Sequence, residues 1–136
     1  MLVLPPRFLV AIVEDDLAVL DSLQLSLESE GYAVCAFESA AKALGSALID
    51  DADCLVVDYG LPELDGVGLI QALRRRDNRT PAVIVAGDPN LTCQRKADAA
   101  GLAVLEKPFR GDALSRQIRA MLPPAPRGRG LGRARI

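Results

Sequence analysis

The sequence predicts an α/β domain in which a parallel sheet carries helices on both faces. Three observations predict it. Four short runs are apolar without polar alternation: "FLVAIV" (8–13), "CLVV" (54–57), "AVIVA" (82–86) and "AVL" (103–105). Such runs suit strands buried on both faces, the habit of parallel sheets covered by helices. Helical patterns separate the runs, so strand and helix alternate five times and each crossover is expected to be right-handed. At 136 residues the chain is long enough for one domain with a real core and too short for two ordinary ones.

Taken in order, the first strand ends at "EDD" (14–16), after which Leu17, Leu20, Leu23 and Leu27 recur at near-helical spacing. Gly31 is a natural stop for that helix. "AVCAF" (33–37) is a weaker strand candidate, and residues 39–49 read as a helix with Ser39 as its cap and an Ala/Leu-rich face. The run 54–57 ends on Asp58, followed at once by a loop containing Gly60, Pro62 and Gly66. Helices are expected over 67–76, 91–100 and 112–122, with the runs 82–86 and 103–105 between them. After Leu122 the composition shifts to "PPAPRGRGLGRARI", with little to bury. The domain is therefore expected over 7–122 and a disordered tail over 123–136.

Half of the residues are hydrophobic and a quarter charged, a globular profile, and aromatics at 4% with no Trp argue against a stacking platform for single-stranded nucleic acid. All 18 acidic residues and all but four of the 16 Lys/Arg lie in residues 1–122. The folded part is acidic, which argues against direct DNA binding. The Arg-rich tail suits RNA, an acidic lipid surface or the protein's own acidic domain, with a solvated tail as the plainer reading. Cys35, Cys54 and Cys93 form no CxxC pair and read as buried thiols in a reducing compartment. The apolar start is broken by Pro5, Pro6 and Arg7 and lacks the order of a signal peptide, and no run reaches membrane-span length. A cytoplasmic protein is expected.

In an open parallel sheet, ligands bind at the carboxyl ends of the strands. Glu14, Asp15 and Asp16 follow the first strand, Asp58 ends the third, and Lys107 in "EKPF" ends the fifth. If the first and third strands are neighbours, their acids share one pocket, where like charges are unfavourable without a cation. A hard divalent ion such as Mg²⁺, taking one or two carboxylates and several waters, would relieve that repulsion. Lys107 is then a point charge for a phosphoryl group or for Asp58 itself. Each element also has a plainer reading: "EDD" as a helix cap, Asp58 as a turn former, Lys107 as a solvated lysine. Their conjunction on successive strand ends favours a site. Because X–Pro bonds can be cis, Pro108 is the candidate for a cis peptide.

The motifs "VEDD", "VVDYGLPELDGVGL", "PAVIVAG" and "LEKPF", with Asp15 and Asp58 43 residues apart, resemble the receiver domain of bacterial two-component response regulators over residues 7–122. The resemblance implies a flavodoxin-like (βα)5 fold of strand order 2-1-3-4-5. It implies that Asp58 is the phosphoacceptor, attacking a phosphohistidine of a partner. It further implies that Asp15 ligates Mg²⁺ directly, Glu14 acts through water and the Gly60 carbonyl completes the set, and that Lys107 pairs with phosphoryl oxygens. Such chemistry is nucleophilic carboxylate catalysis with a metal neutralising charge. The chain has no histidine, so the phosphoryl donor must be another molecule, a sensor histidine kinase or phosphotransfer protein.

Two positions depart from the family pattern. Where the family carries Thr or Ser at the end of the fourth strand stands Ala86, and where it carries an aromatic before the lysine stands Val104. Ala86 and Gly87 still offer backbone N–H groups to a phosphate. The expected function is a stand-alone receiver in a Mg²⁺-dependent phosphorelay with an atypical switch. It would meet a downstream effector through its fourth helix, fifth strand and fifth helix. The alternative is a pseudo-receiver, an interaction module independent of phosphorylation. An aspartyl phosphatase is disfavoured because Gly60 stands where such enzymes carry a second Asp, so no enzyme activity is expected. Oligomeric state is left open.

Overall fold

The computed structural model describes residues 7–128. Five parallel strands, β1 (Leu9–Val13), β2 (Ala33–Phe37), β3 (Cys54–Asp58), β4 (Ala82–Ala86) and β5 (Ala103–Glu106), form one sheet of order β2-β1-β3-β4-β5. The helices are α1 (Leu17–Ser29), α2 (Ala40–Leu44), α3 (Gly66–Arg75), α4 (Leu91–Ala99) and α5 (Ala113–Met121). This is the expected flavodoxin-like arrangement. Among the described residues no helix is long and apolar enough to cross a membrane.

Alternation along each strand divides the core in two. Leu9, Ala11 and Val13 of β1 join Leu55, Val57 and Ile84 beneath α2, α3 and α4, with Leu69, Ile70, Leu73 and Ala97 closing that layer. Val10, Ile12, Val56, Val83 and Val85 face the other way, against Leu20, Leu23 and Leu27 of α1 and Leu114 and Ile118 of α5. Every residue of β1, β3 and β4 is buried, which is why these segments are apolar without alternation. β5 is an edge strand and exposes Ala103 and Glu106.

The helix boundaries follow local chemistry. Asp16 caps α1, accepting from Ala18 N (3.0 Å) and Val19 N (3.3 Å). At its other end Gly31 has φ +100°, a left-handed conformation natural to glycine, and its N–H donates to Glu28 O. One expectation needs correction. The helix over 39–49 is divided, because Gly45 ends α2 and the Ser46 hydroxyl caps a separate 3-10 turn, Ala47–Asp51, by accepting from Leu48 N. Leu17 shares the spacing of the buried leucines but is 55% exposed. Within the segment 123–136, Arg127 is hydrogen-bonded to Asp53, Ala52 and Thr80. Composition does not register that an arginine will meet a buried acid. Residues 129–136 lie outside the described residues.

Cys35, Cys54 and Cys93 are buried and unbridged. Burial, with the Asp53 charge beside it, pushes the Cys54 thiol up to about 12, so it is an inert core group.

Candidate functional site

The sheet order places β1 beside β3, and β3 beside β4, and the polar residues collect where these strands end. β1 runs in register with β3 from Val10–Cys54 to Val13–Val57, so Glu14 and Asp58 emerge side by side. The backbone continues to fix the site past the strands. Glu14 N donates to Phe37 O (3.0 Å), Tyr59 N to Val85 O (2.8 Å) and Lys107 N to Ala86 O (2.8 Å). The Lys107–Pro108 peptide is cis, as the sequence suggests at Pro108.

Three of the expected ligands converge. Carboxylate oxygens of Glu14, Asp15 and Asp58 all lie within 4.8 Å of one another. Glu14 is 2% exposed and Asp58 6%, while Asp15 is open to solvent. Lys107 supplies the balancing charge, with Nζ 2.8 Å from Glu14 Oε1 and 2.9 Å from Asp58 Oδ1. The sequence alone points Lys107 at Asp58 or a phosphoryl group; the bond to Glu14 is new. Glu14 Oε2 also accepts from Asp16 N at 3.3 Å.

The electrostatics follow from burial and crowding. Desolvation pushes the Glu14 carboxyl above its usual range, and the nearby Asp58 charge adds to this, while the Lys107 and Asp16 hydrogen bonds act against it. For Lys107, burial pulls the ammonium down, but its bonds to Glu14 and Asp58 outweigh that and the net direction is up. A set of hard carboxylate oxygens, one open to water, fits a Mg²⁺ ion and offers nothing to a soft metal.

The remaining expected residues sit around this cluster. Gly60 is exposed beside Asp58: a Cβ there would stand 3.6 Å from Asp58 Oδ2. Ala86 is buried at the end of β4, and Gly87 follows in the open, with no heavy atom beyond its two chain neighbours within 4 Å of where its Cβ would be. Val104 is half-buried in β5 and packs against the core layer beneath α3 and α4. Ala86 and Val104 thus contribute apolar contact and no hydroxyl or ring.

The role of the loop after Asp58 as a support for the site is not legible in the sequence. Gly66 N donates to Tyr59 O (2.9 Å), and a Cβ on Gly66 would lie 2.4 Å from the Asp58 carbonyl oxygen. Only glycine permits α3 to start that close to the Asp58 backbone. The preceding Asp65 caps α3 by accepting from Gly68 N (2.8 Å) and pairs with Lys96 of α4 at 2.6 Å. Burial pushes the Asp65 carboxyl up, but these bonds prevail and hold it below the ordinary range. A capping-type Asp before an apolar helical run is the available signal; its partner on α4 has none.

The family model described as the response regulator receiver domain matches residues 10–119. Among curated proteins, the chain is 33% identical over 120 residues to the transcriptional regulatory protein FixJ of Azorhizobium caulinodans, covering 88% of this chain and 57% of that protein. It is 36% identical over 118 residues to the transcriptional regulatory protein PrrA of Mycobacterium tuberculosis, covering 86% and 50%. The chain therefore spans about half the length of these relatives. Among solved structures, FixJ-N aligns with TM-score 0.74 at 29% identity, covering 83% of this chain and 91% of that one. The receiver domain of the sensor histidine kinase PA1611 from Pseudomonas aeruginosa, with a magnesium ion coordinated in its active-site cleft, aligns with TM-score 0.75 at 25% identity, covering 85% and 97%.

Proposed function

The chain belongs to the response regulator receiver domain family, and from that premise we propose that it accepts a phosphoryl group on Asp58 from a phosphohistidine of a partner kinase or phosphotransfer protein. The observation that carries this reading is the placement of Asp58. It is a nearly buried carboxylate whose Oδ1 is held 2.9 Å from Lys107 Nζ, within a cluster that also holds Glu14 and Asp15.

In the step proposed, an Asp58 carboxylate oxygen forms a bond to phosphorus as the phosphorus–nitrogen bond of the donor breaks. The electron pair of that bond returns to the imidazole nitrogen, which the partner reprotonates. Lys107, already committed to Asp58, lies where it can shift onto a phosphoryl oxygen and hold the negative charge that arrives. Glu14, Asp15, Asp58 and the Gly60 carbonyl would hold Mg²⁺, which when bound neutralises charge on the transferring group. The Ala86 and Gly87 backbone amides are the remaining donors proposed for the phosphate. The family of the chain and the magnesium in a relative's cleft support this reading. Partners on either side of the transfer, a histidine-bearing donor and a downstream effector, belong to the same proposal.

A second reading is favoured by a separate observation. Ala86 is a buried core residue and the half-buried Val104 packs against the core, so the hydroxyl and ring through which the family relays phosphorylation are replaced by inert groups. This supports a receiver fold that binds its partner irrespective of phosphorylation. One experiment separates the two. Incubation with Mg²⁺ and acetyl phosphate, followed by intact-mass spectrometry, should give a single phosphoryl adduct on the wild type and none on Asp58→Asn. Absence of the adduct, with Mg²⁺ binding intact and with a histidine kinase also failing, would leave the second reading.

A further inference from the structure

The end of the sheet opposite Asp58 carries a second buried acid with no part in the reading above. Asp53, immediately before β3, is 0% exposed. Its Oδ2 accepts from Leu9 N at 2.7 Å, tying it to the start of β1, and its own N–H donates to Leu9 O at 2.8 Å. Its Oδ1 accepts from the backbone N–H of Arg127, also at 2.7 Å. The guanidinium of the same arginine then reaches two further acceptors: Nη1 lies 2.8 Å from Ala52 O and 2.9 Å from Thr80 Oγ1. Ala52 and Thr80 are as fully buried as Asp53. Beyond the donor that Leu9 supplies, the Asp53 carboxylate, the Ala52 carbonyl and the Thr80 hydroxyl together present buried acceptors that suit a segment bearing N–H groups and positive charge. We propose that the N-terminal edge of the sheet is an arginine-accepting peptide site, formed by Asp53, the Ala52 carbonyl and Thr80, and that the chain fills it in cis with the segment Pro123–Arg127.

Several features fit this occupant. One residue serves three acceptors, its backbone N–H meeting Asp53 and a single guanidinium nitrogen, Nη1, meeting both the Ala52 carbonyl and the Thr80 hydroxyl. Pro123, Pro124 and Pro126 limit the freedom the segment must give up on docking, because each proline fixes its own φ and extends the residue before it. The segment carries positive charge toward a domain that holds all the acids of the chain. The strap grips the residue just before β3 while Asp58 ends the same strand, roughly 16 Å away at the usual rise per residue. The folded unit accordingly runs past Leu122 to Arg127, and a partner that recognised this Pro-Arg segment would first have to detach it from the domain.

Amide hydrogen exchange on the full chain, resolved by NMR, tests the proposal. In the wild type the Arg127 amide should exchange at least about tenfold more slowly than in an unstructured peptide. Arg127→Ala should abolish most of that protection and lower the melting temperature, whereas the same change at the exposed Arg95 of α4, Arg95→Ala, should change neither. A wild-type Arg127 amide that exchanges at the unstructured rate would overturn the proposal, as would an Arg127→Ala chain whose exchange and melting match those of Arg95→Ala.

Discussion

Lys107 and Glu14, 93 residues apart in sequence, meet at 2.8 Å with the glutamate almost wholly removed from solvent. The lysine therefore compensates two acids, Glu14 and Asp58, and its removal leaves both charges close together. Truncating one member of a fully buried pair costs about 3–5 kcal/mol. Because Lys107 retains 22% exposure, Lys107→Met should cost less, about 2–3 kcal/mol in metal-free urea unfolding. Millimolar Mg²⁺ should recover part of this loss, since a divalent cation between the acids replaces the missing charge. A variant as stable as the wild type without metal would show that the pair contributes nothing net.

The same pair sets a pH dependence with two branches. Glu14 is raised by burial, so the folded state takes up its proton more readily than the unfolded chain. Its contribution is most favourable below the ordinary value of 4.5 and is lost as pH rises through the higher folded value. Glu14→Gln should flatten stability across that mildly acidic window. Lys107 is also raised, through its bonds to Glu14 and Asp58, so its contribution is present below 10.5 and is lost at more alkaline pH as the folded value is passed. Lys107→Met should lack that alkaline loss. Chemical unfolding at closely spaced pH values, comparing each variant with the wild type, reads both branches.

Much of this is legible in the sequence, and the limits are physical. Strand ends are readable because burial on both faces demands unbroken apolar residues, so the first polar residue marks the edge. Glu14 and Asp58 declare themselves in this way, while Lys107 stands one residue beyond Glu106, the first polar residue of the partly exposed β5. The sheet order follows from the family resemblance. What spacing hides is which member of a periodic set is covered: Leu17 has the periodicity of Leu20, Leu23 and Leu27, yet they are buried and it is exposed. The pairings Glu14–Lys107, Asp65–Lys96 and Asp53–Arg127 join residues 31 to 93 positions apart. Local pattern carries no information about such contacts. For Arg127 a charge imbalance between domain and tail is visible, but not the single acid that the arginine meets.

Gly66 is the tightest point near Asp58. A methyl group there would lie 2.4 Å from the Asp58 carbonyl oxygen, and backbone cannot retreat as a flexible side chain would. Gly66→Ala should therefore destabilise the domain by about 1–3 kcal/mol despite the better helix propensity of alanine. It should also slow phosphoryl transfer from acetyl phosphate by displacing Asp58. Both are read from urea unfolding and the time course of adduct formation. An unchanged rate would mean that the start of α3 does not position the acceptor.

Asp65 and Lys96 form a pair whose two members should behave unequally. Asp65 is the cap of α3 as well as the partner of Lys96, while Lys96 is half exposed and has only the ion pair to lose. Asp65→Ala should cost about 1–2 kcal/mol, as for loss of an N-cap, and Lys96→Ala less than about 1 kcal/mol. In the double variant the coupling between them should be only a fraction of the larger effect. Equal losses would instead assign the stabilisation to the ion pair and make it the principal tether of α4 to the Asp58 loop.

The packing of Ala86 and Val104 predicts how far a phosphoryl group on Asp58 is felt. Ala86 has no hydroxyl to be drawn toward the phosphate, and the half-buried Val104 packs against the core layer with no ring to swing inward, so neither side chain carries a group that a phosphate would pull to a second position. Backbone amide NMR signals before and after acetyl phosphate treatment, both in Mg²⁺, should shift at Glu14, Asp15, Asp58 through Gly60, Ala86, Gly87 and Lys107. Val104 and the residues of α4 should shift little. Ala86→Thr adds a hydroxyl and a methyl at a site 3% exposed, at an expected cost of about 1 kcal/mol for the extra volume. In exchange it provides a donor that can turn toward the phosphoryl group, and the shift changes should then extend toward β5 and α4. Wild-type changes that already reach Val104 and α4 would show that this chain relays phosphorylation without either group, through the backbone of β4 itself.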